Sequence, residues 1–166
     1  MCRRLTNFLN LHKILNPHQY GFTKGKTTED AIIESVSQIL KNYEKCQTTI
    51  ATFFDLTKAF DCINIEILLD KLDWYGIRGT ALDWWRSFLT QRTQYVELQS
   101  NIKNNIIFQK SDIKPLKYGI PQVSVAGPLL YIIYVNSILQ SNTLKLNTKL
   151  VKYADDTSCL VSCKTL

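Results

Sequence analysis

The sequence has little of what would indicate a metal-binding module, a disulfide-stapled fold or a membrane span. Its five cysteines are scattered, odd in number and never spaced as CxxC, and its two histidines, His12 and His18, lie far from most of them. This arrangement argues against both a zinc site and a disulfide framework. The longest apolar stretch is AGPLLYIIYV, which has about half of the roughly 20 residues that a spanning helix needs.

Targeting and linker signals are also missing. The first residues, MCRRLTNFLNLHKIL, contain no uninterrupted apolar segment of the kind found in a signal peptide. The chain has no internal repeat and no linker rich in proline, glycine and serine. With 166 residues, 45% of them apolar, it has the length of one domain and enough apolar side chains for a core. We therefore expect a soluble, reduced, intracellular protein.

Charge shows only a mild bias. The chain carries 20 basic and 14 acidic residues, which gives a formal net charge of +6 and an isoelectric point near 9.1. This excess permits an anionic partner such as nucleic acid, but an ordinary basic protein explains it equally well. Charge alone therefore does not assign a partner.

Capping residues and apolar spacing predict four helices. Thr27 with Asp30, and Thr80 with Asp83, have the spacing of capping boxes, and Asn64 is a favourable N-cap. The fourth predicted helix is VAGPLLYIIYVNSIL, where a proline is tolerated in the first turn. The helix after Thr27 carries an apolar stripe at helical spacing, formed by Ile32, Val36, Ile39, Leu40 and Tyr43.

Runs of β-branched and aromatic residues predict the strands. The first is TTIATFFDL, and two short pieces, Tyr95–Leu98 and Asn105–Gln109, are expected to form antiparallel strands. Lys149–Ala154 and Thr157–Val161 are predicted to form a hairpin. The mixture of helices and antiparallel strands, without βαβ alternation, predicts an α+β fold.

Acidic residues stand at the ends of two predicted strands. Asp55 ends TTIATFFDL, where it shares a face with Phe53, and Asp155 and Asp156 lie together at the hairpin. Taken singly, each aspartate is most simply a turn residue. If the two strands join one sheet, their carboxylates offer hard oxygen ligands that suit Mg²⁺. Two such ions clamp the oxygens of a phosphoryl transfer, and their charge offsets the repulsion between adjacent aspartates.

Three segments carry a resemblance to a known family. ATFFDLTKAFDCIN, YGIPQVSVAGPLLYIIYVNSI and KYADDTSCLV resemble three successive motifs of reverse transcriptases, above all those of the non-LTR (LINE-type) retrotransposons of animals. LNPHQYGFTKGKTTEDAI, further upstream, resembles the fingers segment that precedes these motifs. The resemblance covers nearly the whole chain, with the motifs in the family's order and spacing, and is therefore far more specific than any one motif.

The resemblance implies a fold and a domain plan. The fold is an α+β polymerase palm, an antiparallel sheet with helices packed on one face, plus partial fingers. Residues from about 1 to 48 correspond to partial fingers and residues from about 49 to 166 to most of the palm, with the thumb absent. Because full-length members have several domains, the resemblance implies a truncated fragment.

The resemblance also implies RNA-directed DNA polymerase activity. Asp55 and Asp155 would hold two Mg²⁺ ions, with Asp156 in support, as catalytic residues and metal ligands. A primer 3′-hydroxyl would attack the α-phosphate of a deoxynucleoside triphosphate and release pyrophosphate. The implied partners are an RNA template, a DNA primer and deoxynucleoside triphosphates, with no membrane, in the nucleus if the element is active.

Five further residues match nucleotide-binding positions of the family. Phe60 would close against the sugar 2′ position, Gln122 and Ser124 would line the nucleotide and template side, and Lys24 and Lys26 would contact phosphates. Each has a simpler alternative from the sequence: a core aromatic, a polar helix start with Ser124 as its cap, and a solvated basic loop.

Three other features stay open or favour packing. Asp61 matches an acid of the first motif, with a hydrogen-bonding or helix-entry role at least as well supported as metal binding. Tyr153 matches the aromatic before the paired aspartates and is compatible with simple packing under the primer end. Trp74, Trp84 and Trp85 are compatible with base stacking, but their helical spacing favours a core role.

The chain departs from the family pattern at several positions. Val123 stands where the family has glycine, and Ala126 and Ser137 replace a larger apolar residue and an aspartate. Because a β-branched residue resists conformations open to glycine, Val123 supports an alternative: an inactive retrotransposon relic that at most binds nucleic acid non-specifically. A host-adopted interaction module is a third and weaker hypothesis.

Overall fold

The computed structural model describes residues 1–102, 105–122, 124–139 and 148–164. These residues form helices and strands in a mixed order, which confirms the α+β class. In chain order they are α1 (Cys2–Leu11), α2 (Thr28–Glu44), β1 (Gln47–Phe54), α3 (Ile65–Trp74), α4 (Thr80–Leu89), β2 (Thr93–Gln94), β3 (Glu97–Ile102), β4 (Asn105–Lys110), β5 (Lys114–Pro115), α5 (Gly127–Val135) followed by a 3₁₀ turn (Asn136–Leu139), β6 (Thr148–Tyr153) and β7 (Asp156–Lys164).

The main sheet has three antiparallel strands in the order β1-β7-β6. The β6–β7 hairpin is confirmed, and its last pair joins Tyr153 to Asp156 across a two-residue turn, Ala154–Asp155. Asp155 therefore lies in the turn, whereas Asp156 is the first residue of a strand. The predicted antiparallel pair is also confirmed as β3 with β4, although its first strand begins at Glu97 and not at Tyr95.

Helices α1, α3, α4 and α5 share one apolar core. Their most deeply buried side chains are Leu9, Leu68, Leu69, Leu72, Trp85, Leu89, Leu130, Ile132 and Ile133. Burying each large aliphatic side chain contributes about 1.5–3 kcal/mol. The sequence patterns did not predict α1, whose Leu5 and Leu9 are both buried in this core.

Two of the three predicted helix caps are confirmed. The Thr27 amide donates to the Asp30 carboxylate at 2.8 Å, and the Asp30 amide donates to the Thr27 hydroxyl at 3.2 Å. Asn64 Oδ1 accepts hydrogen bonds from the backbone amides of Glu66 and Ile67. The capping box at Thr80 is wrong, because that residue already lies inside α4. The cap position belongs to Gly79, which has φ 56° and no side chain that could accept a hydrogen bond.

Helix α2 packs on one face of the sheet through a small number of residues. Ala31 joins Tyr20 and Val151 in a second, smaller cluster, and the Asn42 amide donates to the Thr49 hydroxyl at 2.9 Å. The apolar stripe of α2 stays exposed, at fractions from 40% to 79%: Ile32, Val36, Ile39, Leu40 and Tyr43. Several of these side chains line an open groove of about 520 Å³ between α2 and the sheet.

The tryptophans differ in their environments. Trp85 is fully buried, as the helical spacing predicted. The core prediction is wrong for Trp74, which is 71% exposed, and for Trp84, which is 42% exposed and stacks on Phe88 with ring centroids 5.4 Å apart. On α4, the apolar stripe is therefore wider than the surface that packs against the core.

The loop before α2 supports the hairpin. Lys152 on β6 exchanges backbone hydrogen bonds with this loop, donating to the His18 carbonyl at 3.0 Å and accepting from the Tyr20 amide at 2.8 Å. Gly21 follows directly, and a Cβ built on it would lie 1.9 Å from the Ala154 nitrogen. The loop backbone is therefore pressed against the turn that carries Asp155.

The Lys152 side chain lies on the face of the sheet opposite Val151. It is 1% exposed. Burial, and then the nearby ammonium of Lys71, lower the pKa of Lys152 to about 8. Lys71 itself donates to the Tyr134 carbonyl and, at 2.8 Å, to the Ser137 hydroxyl. The fold thus encloses an ammonium group at a cost in stability.

Replacing Gly21 with alanine is expected to displace the hairpin turn. The added Cβ meets backbone atoms of Tyr153 and Ala154, which cannot rotate away, so we expect a loss of roughly 2–3 kcal/mol of unfolding free energy. Gly25→Ala is the matched control. Gly25 has φ 79° and open space around its Cβ position, so only backbone strain of about 1 kcal/mol applies. Urea unfolding, with hydrogen exchange of the Tyr20 amide, measures both, and equal losses in the two variants would contradict the contact.

Replacing Lys152 with methionine is expected to stabilise the chain at pH 7 by up to about 3 kcal/mol. The folded pKa of Lys152, about 8, lies below the model value of 10.5, so between these values the unfolded chain holds more protons and wild-type stability rises with pH. The advantage of Lys152→Met is therefore complete below pH 8 and shrinks toward pH 10.5. Urea unfolding at several pH values tests this. Lys149→Met, which removes an ion pair with Glu34 at 2.5 Å, is the control and should not stabilise.

Candidate functional site

Three aspartates from two distant segments lie at the same end of the main sheet. The β1–β7 register ends with Phe54 opposite Thr157. Continued by one residue, this register places Asp55 beside Asp156, with Asp155 next in the hairpin turn. Asp55 and Asp156 are exposed, and Asp155 is half-buried. The expectation that the two acidic strand ends belong to one sheet is confirmed.

The fit of this end of the sheet to a divalent metal is partial. Carboxylate oxygens are the donors that Mg²⁺ prefers, and Mg²⁺ commonly uses one or two carboxylates together with substrate phosphates. Within the described ranges, however, no three His, Cys, Asp or Glu side chains are close enough to hold a metal ion. The three aspartates share an edge without converging, so their role as metal ligands stays a prediction.

Tyr131 on α5 lies close to the aspartate turn. Its side chain is 1% exposed, and its hydroxyl has no hydrogen-bond partner among the described residues. Burial, followed by the negative charges of Asp155 and Asp156, raises the pKa of Tyr131 to about 12. The phenol therefore stays protonated and is available as a donor. Sequence reasoning missed this residue, for which the signal was a tyrosine, one of two, inside the apolar run LLYIIYV.

Phe60 packs between two other aromatic rings. It is half-buried, with its ring stacked on Tyr131 at 4.8 Å between centroids and 28° between planes. Phe22 meets it edge-on at 6.1 Å. The Phe60 carbonyl also accepts from the Ile120 amide at 3.1 Å. Phe60 is therefore a packed ring that keeps partial solvent exposure.

Three of the predicted nucleotide-binding residues line one cleft of about 270 Å³: Phe60, Gln122 and Ser124. The Ser124 hydroxyl donates to the Pro121 carbonyl at 2.7 Å and accepts from the Gly127 amide at 3.0 Å. This hydroxyl therefore bonds the first residue of α5, but the prediction that Ser124 caps the helix is wrong, because the cap position belongs to Ala126. Val123 lies outside the described residues.

Gln122 connects this cleft to a second, polar one. Its side-chain amide donates to Asp61 Oδ1 at 2.6 Å, which gives Asp61 the hydrogen-bonding role that the sequence left open. Lys58 and Arg92 also line the second cleft, which has a volume of about 430 Å³. Arg92 donates to the Gly119 carbonyl at 3.1 Å. The two cations place positive charge beside the Gln122 side chain.

The two predicted phosphate-binding lysines lie away from the Phe60 cleft. Lys26 folds back on its own loop, where it donates to the Pro17 carbonyl and, at 3.0 Å, to the Gln19 carbonyl. Its ammonium also sits 4.7 Å from the centre of the Tyr20 ring, and burial lowers its pKa. Lys24 is exposed. Neither lysine lines the cleft with Phe60, and their phosphate contacts stay a prediction.

No helix in the described part of the chain is both long and apolar enough to cross a membrane. The exposed apolar stripe of α2 alternates with charged and polar side chains of the same helix.

Solved structures share this arrangement of helices and strands. Apo telomerase from Candida tropicalis, truncated from its C-terminal domain, superposes with a TM-score of 0.64 at 16% identity, over 96% of this chain and 33% of that one. At this identity the likeness shows the fold alone, and it agrees with the polymerase palm that the motifs predicted.

Sequence comparison gives the family. The model for "Reverse transcriptase (RNA-dependent DNA polymerase)" matches residues 1–165. Two Drosophila melanogaster relatives, a probable RNA-directed DNA polymerase from transposon BS and the RNA-directed DNA polymerase from mobile element jockey, are 26% and 28% identical to 98% of this chain. The chain spans 17% of the length of each. It belongs to the reverse transcriptase family, and its sequence relatives are the polymerases of LINE-type retrotransposons.

Proposed function

We propose that the chain forms the nucleotide-adding part of an RNA-directed DNA polymerase, which extends a DNA primer on an RNA template. The observation that carries the proposal is the meeting of Asp55 with the Asp155–Asp156 turn at one end of the sheet. A fold without this function would not require Asp55 and the Asp155–Asp156 turn to be neighbours. The family match supports the same reaction class.

The reaction joins a deoxynucleotide to the primer. The 3′-hydroxyl oxygen forms a bond to the α-phosphate, the bond to the bridging oxygen breaks, pyrophosphate leaves, and the hydroxyl proton passes to solvent. Asp55, Asp155 and Asp156 would hold Mg²⁺, which would neutralise the charge developing on the phosphate oxygens. The chain's own task is to position the reacting groups and exclude water.

The Phe60 cleft is proposed to receive the sugar and base of the incoming nucleotide. Phe60 is held from behind by Tyr131, so its ring offers a fixed wall that a ribose 2′-hydroxyl would meet. Gln122 and Ser124 form the polar side of the cleft, and the bond to Asp61 fixes the orientation of the Gln122 amide. Lys24 is exposed and would reach phosphate directly, whereas Lys26 would first have to release its two carbonyl partners.

The domain plan is part of the proposal. Residues from about 1 to 48 would act as part of the fingers, and residues from about 49 to 166 as most of the palm. The contacts of Tyr20 and Gly21 with β6 and its turn join these two parts. A loop of the first part would thereby hold the acidic turn of the second.

Asp155→Asn is expected to abolish primer extension. The exchange keeps the shape of the side chain but removes its charge, and losing such a charge costs at least about 10²–10³ in kcat. The assay uses the chain extended to the length of its relatives, with an RNA template, a DNA primer, Mg²⁺ and deoxynucleoside triphosphates. Asp83→Asn, at an exposed position on α4, is the control and should keep full activity.

A wild-type chain that never extends the primer would overturn the polymerase proposal. The relic alternative would then account for any binding of nucleic acid. Such binding would weaken steeply with salt and would be the same in Asp55→Ala as in the wild type.

Phe60→Ala is expected to relax selection against ribonucleotides. Removing the ring opens space at the sugar, so the ratio of ribonucleotide to deoxynucleotide incorporation should rise by roughly tenfold or more. Phe22→Ala is the matched control, since Phe22 touches the edge of Phe60 but does not line the cleft. Competition assays measure both variants. A ratio that changes equally in the two, or in neither, would assign Phe60 to packing alone.

A further inference from the structure

The Tyr131 hydroxyl is a buried donor that the proposed reaction has not used. The side chain is 1% exposed, and the hydroxyl finds no acceptor among the described residues. A buried polar group without a partner is costly, and most such groups in native proteins are satisfied. A phenylalanine at this position would fill almost the same space without that cost.

The ring of Tyr131 is held in one place. It stacks on Phe60 at 4.8 Å, and the neighbouring helix residues Ile132 and Ile133 are fully buried in the core. Rotation toward solvent would break the stack and open a cavity. The hydroxyl therefore cannot leave its site to find water, and a partner has to come to it.

The aspartate turn is the acidic neighbour of this hydroxyl. Asp155 and Asp156 are the two groups whose charges act on the phenol. Asp155 is half-buried, and its turn contains Ala154 at φ 57° with Gly21 packed behind it. Contacts connect α5 to this turn, because Tyr131 stacks on Phe60, Phe60 meets Phe22, and the preceding Gly21 packs on the turn. The turn therefore offers this donor a carboxylate acceptor, and a hydrogen bond to a charged group is among the stronger ones.

We propose that Tyr131 is a positioning residue, whose hydroxyl donates to the Asp155–Asp156 turn when nucleotide occupies the Phe60 cleft. The inference rests on the proposed function, because that function places the nucleotide in the Phe60 cleft. Without nucleotide the donor is unpaired, and with nucleotide it fixes the carboxylates in the reacting geometry. The unpaired hydroxyl thus lowers the stability of the nucleotide-free chain, and its hydrogen bond positions the carboxylates in the nucleotide-bound chain.

Tyr131→Phe separates these two effects. In the free 166-residue chain the thermal midpoint should stay unchanged or rise by roughly 2–4 °C. In the chain extended to the length of its relatives, kcat for primer extension should fall by roughly 10- to 100-fold, with less change in KM for the nucleotide. Tyr134→Phe, one turn further along α5, is the matched control and should change neither quantity. A fall in both midpoint and kcat, or an unchanged kcat, would overturn the proposal.

A second measurement does not depend on activity. Tyrosine labelled with ¹³C at Cζ reports hydrogen bonding of the phenol, and the signal of Tyr131 is identified by its loss in Tyr131→Phe. Adding Mg²⁺ and deoxythymidine triphosphate to the 166-residue chain should move this signal in the wild type but not in Asp155→Asn. A Tyr131 signal that does not move in the wild type would overturn the inference, even if the longer chain extends the primer. A signal that moves without any extension supports the inference and counts against the proposed function.

Discussion

The ladder between β1 and β7 sets the position of the acidic groups of the site. It runs through eight pairs, from Gln47 opposite Lys164 to Phe54 opposite Thr157. Because side chains alternate along a strand, a slip of one residue would turn each strand over. Leu160, buried at 2% exposure, would then face outward, and Asp55 would lose its place beside Asp156. Burial of Leu160 on β7 therefore favours the register that sets the spacing of the acidic end.

The hairpin turn is held by segments that are remote in sequence. Gly21 presses against the backbone at Ala154, while Phe60 and Tyr131 form an aromatic stack close to Asp155. Neither contact comes from the strands that make the turn. The position of the carboxylates consequently depends on a loop, a helix and a post-strand segment, and a change in any of them reaches the site without touching an aspartate.

Local rules predicted the parts of this fold that local forces decide. The caps at Thr27 and Asn64 and the hairpin follow from side chains acting over three or four residues. The error at Thr80 has a local cause as well, since the positive φ of Gly79 moves the cap by one residue. Motif order identified the acidic ends and the lining of the Phe60 cleft. It could not show that Lys26 bonds its own loop, because tertiary contacts decide that.

Periodicity also cannot tell whether an apolar face is covered. Trp84 and the stripe of α2 have the spacing of core residues, yet they face solvent, because spacing reports which side chains share a face and not what lies opposite. Tyr131 shows the converse. Its position in an apolar helix predicts simple packing, and only the contact with Phe60 and the charges of the turn reveal an unused donor.

The solvent exposure of the aspartates explains how the fold tolerates them. Asp55 and Asp156 are exposed side by side, where water weakens their repulsion. Asp155 is half-buried, and its charge acts on the neutral phenol of Tyr131. The acidic end can therefore form on the strength of the β1–β7 ladder and the apolar core.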